Sequence, residues 1–75
     1  PMTEEELEKL VQRLHSESRL TYSLVIRSLC IGDLRFFEMA MARLAGVTRV
    51  NARILMFDNG PLGFRAMYEK ARLPE

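Results

Sequence analysis

Apolar positions along the chain fall into five helix-length stretches separated by brief polar or glycine-bearing breaks. Residues 3–16 carry Leu7, Leu10, Val11 and Leu14, the i, i+3, i+4, i+7 spacing of a single helical seam. Thr3 and Glu6 stand in a capping-box relation at its start, and Glu4, Glu5 and Glu6 sit at the positive end of the helix dipole. Residues 16–19 lack periodicity and read as a connection. Residues 21–31 follow, with Thr21 as cap. Leu24, Val25, Leu29 and Cys30 are expected on one broad face, with Arg27 and Ser28 facing away. The third stretch, 34–45, places Leu34, Phe37, Met41 and Leu44 in one stripe widened by Phe36 and Ala40. The fourth, 49–57, is expected to turn Val50, Ile54 and Phe57 inward. The fifth, 62–71, has Phe64, Met67, Tyr68 and Ala71 as its apolar side.

Gly32, Gly46 and Gly60 recur every 14 residues, each after an apolar-periodic stretch. Asp33, Thr48 and Pro61 follow them, residues suited to begin a helix. Glycine ends a helix in the left-handed conformation at no steric cost, so three helix boundaries with very short turns are expected. The spacing suggests helical repeats, although single helices of similar length would produce it too. No alternating strand pattern bounded by turn signals is found. The expected fold is all-α, a compact bundle of four to five short helices. It forms one small domain over residues 1–75, with an N-terminal helix and connection in 1–19 and a glycine-punctuated block in 20–75.

Composition narrows the function classes. With 75 residues, 48% hydrophobic and 28% charged, the chain is globular rather than disordered. It has no apolar run long enough to span a membrane, and no membrane role is expected. Eleven basic and ten acidic residues leave a net charge of +1, so no global field draws it to nucleic acid. So small a domain has a thin stability margin that a partner surface would widen.

Catalytic and metal chemistry find few residues. His15 and Cys30 are the only histidine and cysteine. One of each cannot close a zinc site, and Cys30 is expected as a small buried hydrophobe. His15 is expected to complement the negative end of the first helix. Glu4, Glu5, Glu6 and Glu8 point several ways around a helix and read as a solvated turn. No enzymatic activity, metal or cofactor is expected.

Two surfaces remain. The Leu7, Leu10, Val11, Leu14 seam packs either within the domain or on a partner, including a second copy. Residues 42–55 look like a bacterial helix-turn-helix: Ala42 four before Gly46, then Val47, then Thr48 capping a helix that would present Arg49, Asn51 and Arg53 to a major groove. Ala52 departs from that pattern, which usually has a bulkier aliphatic there. A third reading makes Met39, Met41, Met56 and Met67 an adaptable apolar ligand site, although methionine at helical spacing is more often core.

Residues 20–74 resemble the C-terminal part of the DUF2336 family of alpha-proteobacterial proteins. The resemblance rests on Ser23-Leu24-Val25-Ile26-Arg27-Ser28-Leu29-Cys30, on Gly32-Asp33-Leu34-Arg35-Phe36-Phe37-Glu38 and on Ala42-Arg43-Leu44-Ala45-Gly46-Val47. The ending from Phe64 to Pro74 also fits. The Gly-Asp-Leu-x-Phe-Phe-Glu word is the most specific of these. The resemblance implies a cytoplasmic, all-helical protein, one domain of a longer chain, and brings no catalytic residue or ligand. The expected function is therefore a non-enzymatic helical protein-interaction module within a larger bacterial regulatory or signalling protein. A protein partner or self-association is expected, and DNA binding through Thr48, Arg49, Asn51 and Arg53 is the alternative.

Overall fold

A computed structural model describes residues 2–73; Pro74, the last of the family-like words, lies outside the described residues. Among the described residues, five helices run in order: α1 (Glu4–Ser16), α2 (Tyr22–Cys30), α3 (Leu34–Ala45), α4 (Arg49–Arg53) and α5 (Gly60–Lys70). A π-helical turn, Ile54–Asp58, continues α4 toward α5. No strand occurs among the described residues, and the architecture is an all-α bundle.

The starts of α1–α4 follow from side-chain oxygens. Thr3, Thr21, Asp33 and Thr48 each accept from the backbone N–H three residues on, and Glu6 closes the capping box by accepting from Thr3 N at 2.9 Å. Three of the turns share one geometry. Asp33 N donates to Ser28 O at 2.8 Å around Gly32, and Val47 N donates to Ala42 O at 3.0 Å around Gly46. Both glycines are left-handed, so these are 6→1 Schellman closures. The third surrounds Ser18, also left-handed at φ 58°, where Arg19 N donates to Leu14 O at 2.7 Å. Gly60 is left-handed as well. Four left-handed positions, 18, 32, 46 and 60, thus keep the 14-residue spacing one step further back than the glycines do, while Arg72, also left-handed, falls outside it. Residues 16–19 form a capped turn of this series.

Everything packs on α3, on which α1, α2, α4 and α5 all lie. Eight of its 12 residues are buried, as expected of a helix apolar on nearly all sides. Phe36, Phe37, Ala40 and Met41 are covered as the stripe requires. Leu34, in the first turn, stays exposed. Phe37 stacks on Phe64 of α5 with centroids 6.2 Å apart, and Tyr22 of α2 meets Tyr68 of α5 edge-on at 6.5 Å. Met39, Met41, Met56 and Met67 are all buried core residues.

Two expectations about faces are corrected. On α2 the covered side is Val25 and Ser28, while Leu29 and Cys30 are exposed. Ser28 can be buried because its hydroxyl donates to Val25 O at 2.6 Å. The α1 seam is used inside the chain: Leu7 and Val11 are buried against α3, with Leu10 and Leu14 half-buried beside them. The Cα radius of gyration, 11.5 Å, matches the roughly 11 Å of a compact chain of this length, as a helix folded back requires. The second correction concerns α4. Ala52 and Met56 are buried, while Val50, Ile54 and Phe57 point outward.

The helical path through 49–57 is also not uniform. From Ile54 the backbone widens into the π turn, and Asn59 Nδ2 donates to Ile54 O at 2.8 Å. Gly63 of α5 crosses this turn so closely that a Cβ there would lie 2.1 Å from Leu55 O. Only glycine permits that approach.

Candidate interaction groove

Residues 49–58 carry apolar side chains on two sides. Ala52, Leu55 and Met56 lie on the side that meets the core, where Ala52 and Met56 are buried and Leu55 is half-buried. Val50, Ile54 and Phe57 lie on the other and are 66%, 44% and 51% exposed. The β-branched and aromatic side chains are thus the ones left in water. Scattered exposed apolar residues are ordinary, but three on one helical face form a continuous surface. They line a groove of about 350 Å³ whose remaining wall is Glu38 of α3, with Arg53 and Asp58 at the rim. Leu62, at the start of α5, is 82% exposed. A second exposed apolar region, Leu29, Ile31 and Leu34, lies around the α2–α3 turn.

The charges beside the groove are organised by Arg49. Its Nε and Nη2 donate to Glu38 Oε1 at 3.3 and 3.2 Å, and its Nη1 reaches both carboxylate oxygens of Glu4. Arg53 Nε lies 3.6 Å from the same Glu38 oxygen. Arg35 Nη2 adds a contact of 3.4 Å to Glu4 and donates to Met2 O at 3.0 Å. Glu38 is buried, so its charge is tolerated because two guanidinium groups face it. The cluster joins the first turn of α1 to α3 and α4.

Hydrogen bonds from Arg49 hold the Glu4 carboxyl below the usual carboxylate range against the opposing effect of partial desolvation, and the charges of Arg49 and Arg35 act in the same direction. The Arg49 guanidinium is raised in turn, first by its bonds to Glu4. Glu6 is also lowered, by the Thr3 backbone N–H of the capping box. A carboxyl lowered in the folded state stabilises the fold above its unfolded value, and that contribution is lost as pH falls through the folded value. Thermal melts should therefore lose midpoint as pH drops below about 4.5. Glu4→Gln should flatten that part of the curve, and an unchanged slope would show that the Arg49–Glu4 contact contributes nothing.

The helix-turn-helix residues fare differently from one another. Thr48 spends its hydroxyl as the cap of α4, accepting from Asn51 N at 3.1 Å. Arg49 is engaged with Glu4 and Glu38, and Arg53 leans on Glu38. Asn51 is exposed. The α-helical part of this segment is five residues long before the π turn. His15 accepts from Arg43 Nε through Nδ1 at 3.2 Å, tying the end of α1 to α3. No group of three or more His, Cys, Asp or Glu able to hold a metal occurs among the described residues. No helix among them is long and apolar enough to cross a membrane.

Sequence patterning missed Glu38, Val50, Ile54, Phe57 and Asp58 as a surface. The available signal was the presence of two apolar faces on one short helix, of which a small bundle covers one.

No curated protein and no solved structure matches the chain. A family model described as "Uncharacterised protein conserved in bacteria (DUF2336)" matches residues 1–75. The match takes in α1 and the Ser18 turn, which the resemblance over residues 20–74 had left out. The chain belongs to the DUF2336 family of bacterial proteins.

Proposed function

We propose that this domain is a non-enzymatic protein-interaction module of a bacterial regulatory or signalling protein, and that it docks through the Val50–Ile54–Phe57 groove. One observation carries this reading: α4 and its π turn are apolar on two sides, and the chain covers only the side bearing Ala52 and Met56. A helix apolar all round is normally buried all round. The α1 seam, the other surface considered from sequence, supports the reading less, because its residues contribute to the core.

The DNA-binding alternative draws less support. Of its two arginines, Arg49 is held by carboxylates of its own chain, and a phosphate contact there would have to displace Glu38 or Glu4.

Ile54→Glu is the test. The residue lies at the centre of the exposed stripe, so folding should survive within about 0.5 kcal/mol. Association of the domain, with itself in light scattering or with proteins in a pull-down, should be lost. Equal association by the folded variant would refute the groove as the docking surface. A low-salt mobility shift with random duplex is expected to show no binding. A shift abolished by Arg53→Ala would favour the DNA reading instead.

A further inference from the structure

Resting on the docking reading above, we infer that the seating of α1 regulates the groove: a chain of alternating charges, Glu4–Arg49–Glu38–Arg53, carries the state of the first turn of α1 to the groove rim. Arg49 is the link, because it bonds two carboxylates on different helices. Its Nη1 reaches Glu4 of α1, and its Nε and Nη2 donate to Glu38 Oε1 of α3 at 3.3 and 3.2 Å. Glu38 is a wall of the groove, and Arg53 Nε at the rim lies 3.6 Å from the same Oε1. Two guanidinium groups thus compete for one oxygen.

The start of α1 has room to act on this chain. The helix lies on α3, while between its first turns and α4 runs an open cleft of about 370 Å³ whose lining includes Glu4, Glu8, Thr48 and Arg49. Among the described residues, Glu4–Arg49 is the one polar contact between α1 and α4. The other charges around Glu4 are Arg35, which reaches it from α3, and Arg43 of α3 and Glu8 of α1, which line the same cleft. Beyond the two arginines, Asp58 is the charged group that shares the groove with Glu38.

With Glu4 in place the four charges balance, and Arg49 divides its donors between two acids. Without it, Arg49 turns to Glu38 alone. Arg49 is the stronger competitor there, since it makes two hydrogen bonds to the oxygen and its side chain is 23% exposed, against 64% for Arg53. Arg53 is then released, and the rim gains a cation for an acidic group of the docking partner. The coupling is reciprocal: a carboxylate that takes Arg53 at the rim favours Arg49 on Glu38 and so loosens its hold on Glu4. Hydrogen bonds from Arg49 keep the Glu4 carboxyl below the usual carboxylate range, so the chain is intact near neutrality and opens in acid.

The experiment is NMR of the full chain, with the Arg53 Nε–H and Ile54 methyl signals reporting on the groove and the Met41 and Met67 methyl signals on the core. In Glu4→Gln at neutral pH, the Arg53 signal should move toward that of a free guanidinium and the Ile54 signal should shift with it, while the core signals stay. Glu5→Gln, in the same turn, should leave all of them in place. In the wild type, the groove signals should follow the titration of Glu4 as pH falls, over the range in which the core signals are constant, and approach their positions in Glu4→Gln. That wild-type titration decides the matter even if Glu4→Gln fails to fold. Groove signals that ignore both Glu4→Gln and the titration of Glu4 overturn the inference. So does an Arg53 signal that moves away from the free position, or an acid step retained in folded Glu4→Gln, which would belong to Glu38 or Asp58. These readings need no partner. Unmoved groove signals refute the coupling whatever Ile54→Glu does to association, and association that survives Ile54→Glu refutes the docking site while the coupling stands.

Discussion

Gly63→Ala is expected to destabilise the fold by about 3 kcal/mol or more, toward the upper end of the cost of overpacking a close contact. The added Cβ would stand 2.1 Å from Leu55 O and 2.7 Å from Asn59 Cβ. The first neighbour is backbone, held in the π turn, and cannot swing aside as a flexible side chain could. Relief requires α5 to move off the turn, which would draw Met67 out of its buried site and disturb the Phe37–Phe64 stack. In a domain of this size the melting midpoint should fall by roughly 12–24 °C. Gly32→Ala is the matched control. A Cβ there meets nothing, so only the left-handed backbone is strained, at about 1–2 kcal/mol. Equal losses for the two variants would mean that the helix crossing is looser than its geometry indicates.

Phe37→Ala is the second large effect, at about 3–5 kcal/mol. Phe37 is 1% exposed at the centre of α3 and stacks on the ring that anchors α5. Its removal leaves a cavity between the two helices that backbone collapse can fill only in part. Phe57→Ala provides the contrast, since that ring is half in water and should change monomer stability by less than about 0.5 kcal/mol. Chemical denaturation of the two variants reads the difference directly. A large loss for Phe57→Ala at low concentration would show that its ring supports the monomer rather than a surface.

Helix boundaries were the most legible part of this sequence. They depend on local chemistry: a Thr or Asp oxygen three residues before a free N–H, or a glycine after the last turn. These caps act within a few residues whatever the tertiary context, and so α1, α2 and α3 begin and end where the pattern places them. Ser18 escaped notice because serine carries no left-handed preference of its own. Counting 14 residues back from Gly32 would have found it.

Which side of a helix is covered was less legible. On α2 and α4 more than one face is apolar, and periodicity does not choose between them. The choice is made by close approach. Ala52 is fully buried in the packing of α4 on α3, with the bulkier Val50, Ile54 and Phe57 turned away from that contact. The close approach at Ala52, rather than hydropathy, decided the face. The groove was hidden for the same reason, since its residues are those most readily assigned to the core. Glu38 was hidden differently. An isolated acid in an apolar helix gives no sign of its partners until the fold brings Arg49 and Arg53 to it.

The Arg49 cluster also bears on the order in which the molecule assembles. Glu4 and Arg49 are 45 positions apart, whereas the capped turns close over six residues or fewer. Contacts so distant in sequence carry the larger loop-closure entropy and are made late on the folding path. The seating of α1 on the α3–α4 pair is therefore expected to be a closing event on the native side of the barrier. Weakening this clasp should hasten unfolding while leaving the rate of folding nearly unchanged. Arg49, at the start of α4, is thus expected to bear on the domain's lifetime more than on its speed of formation.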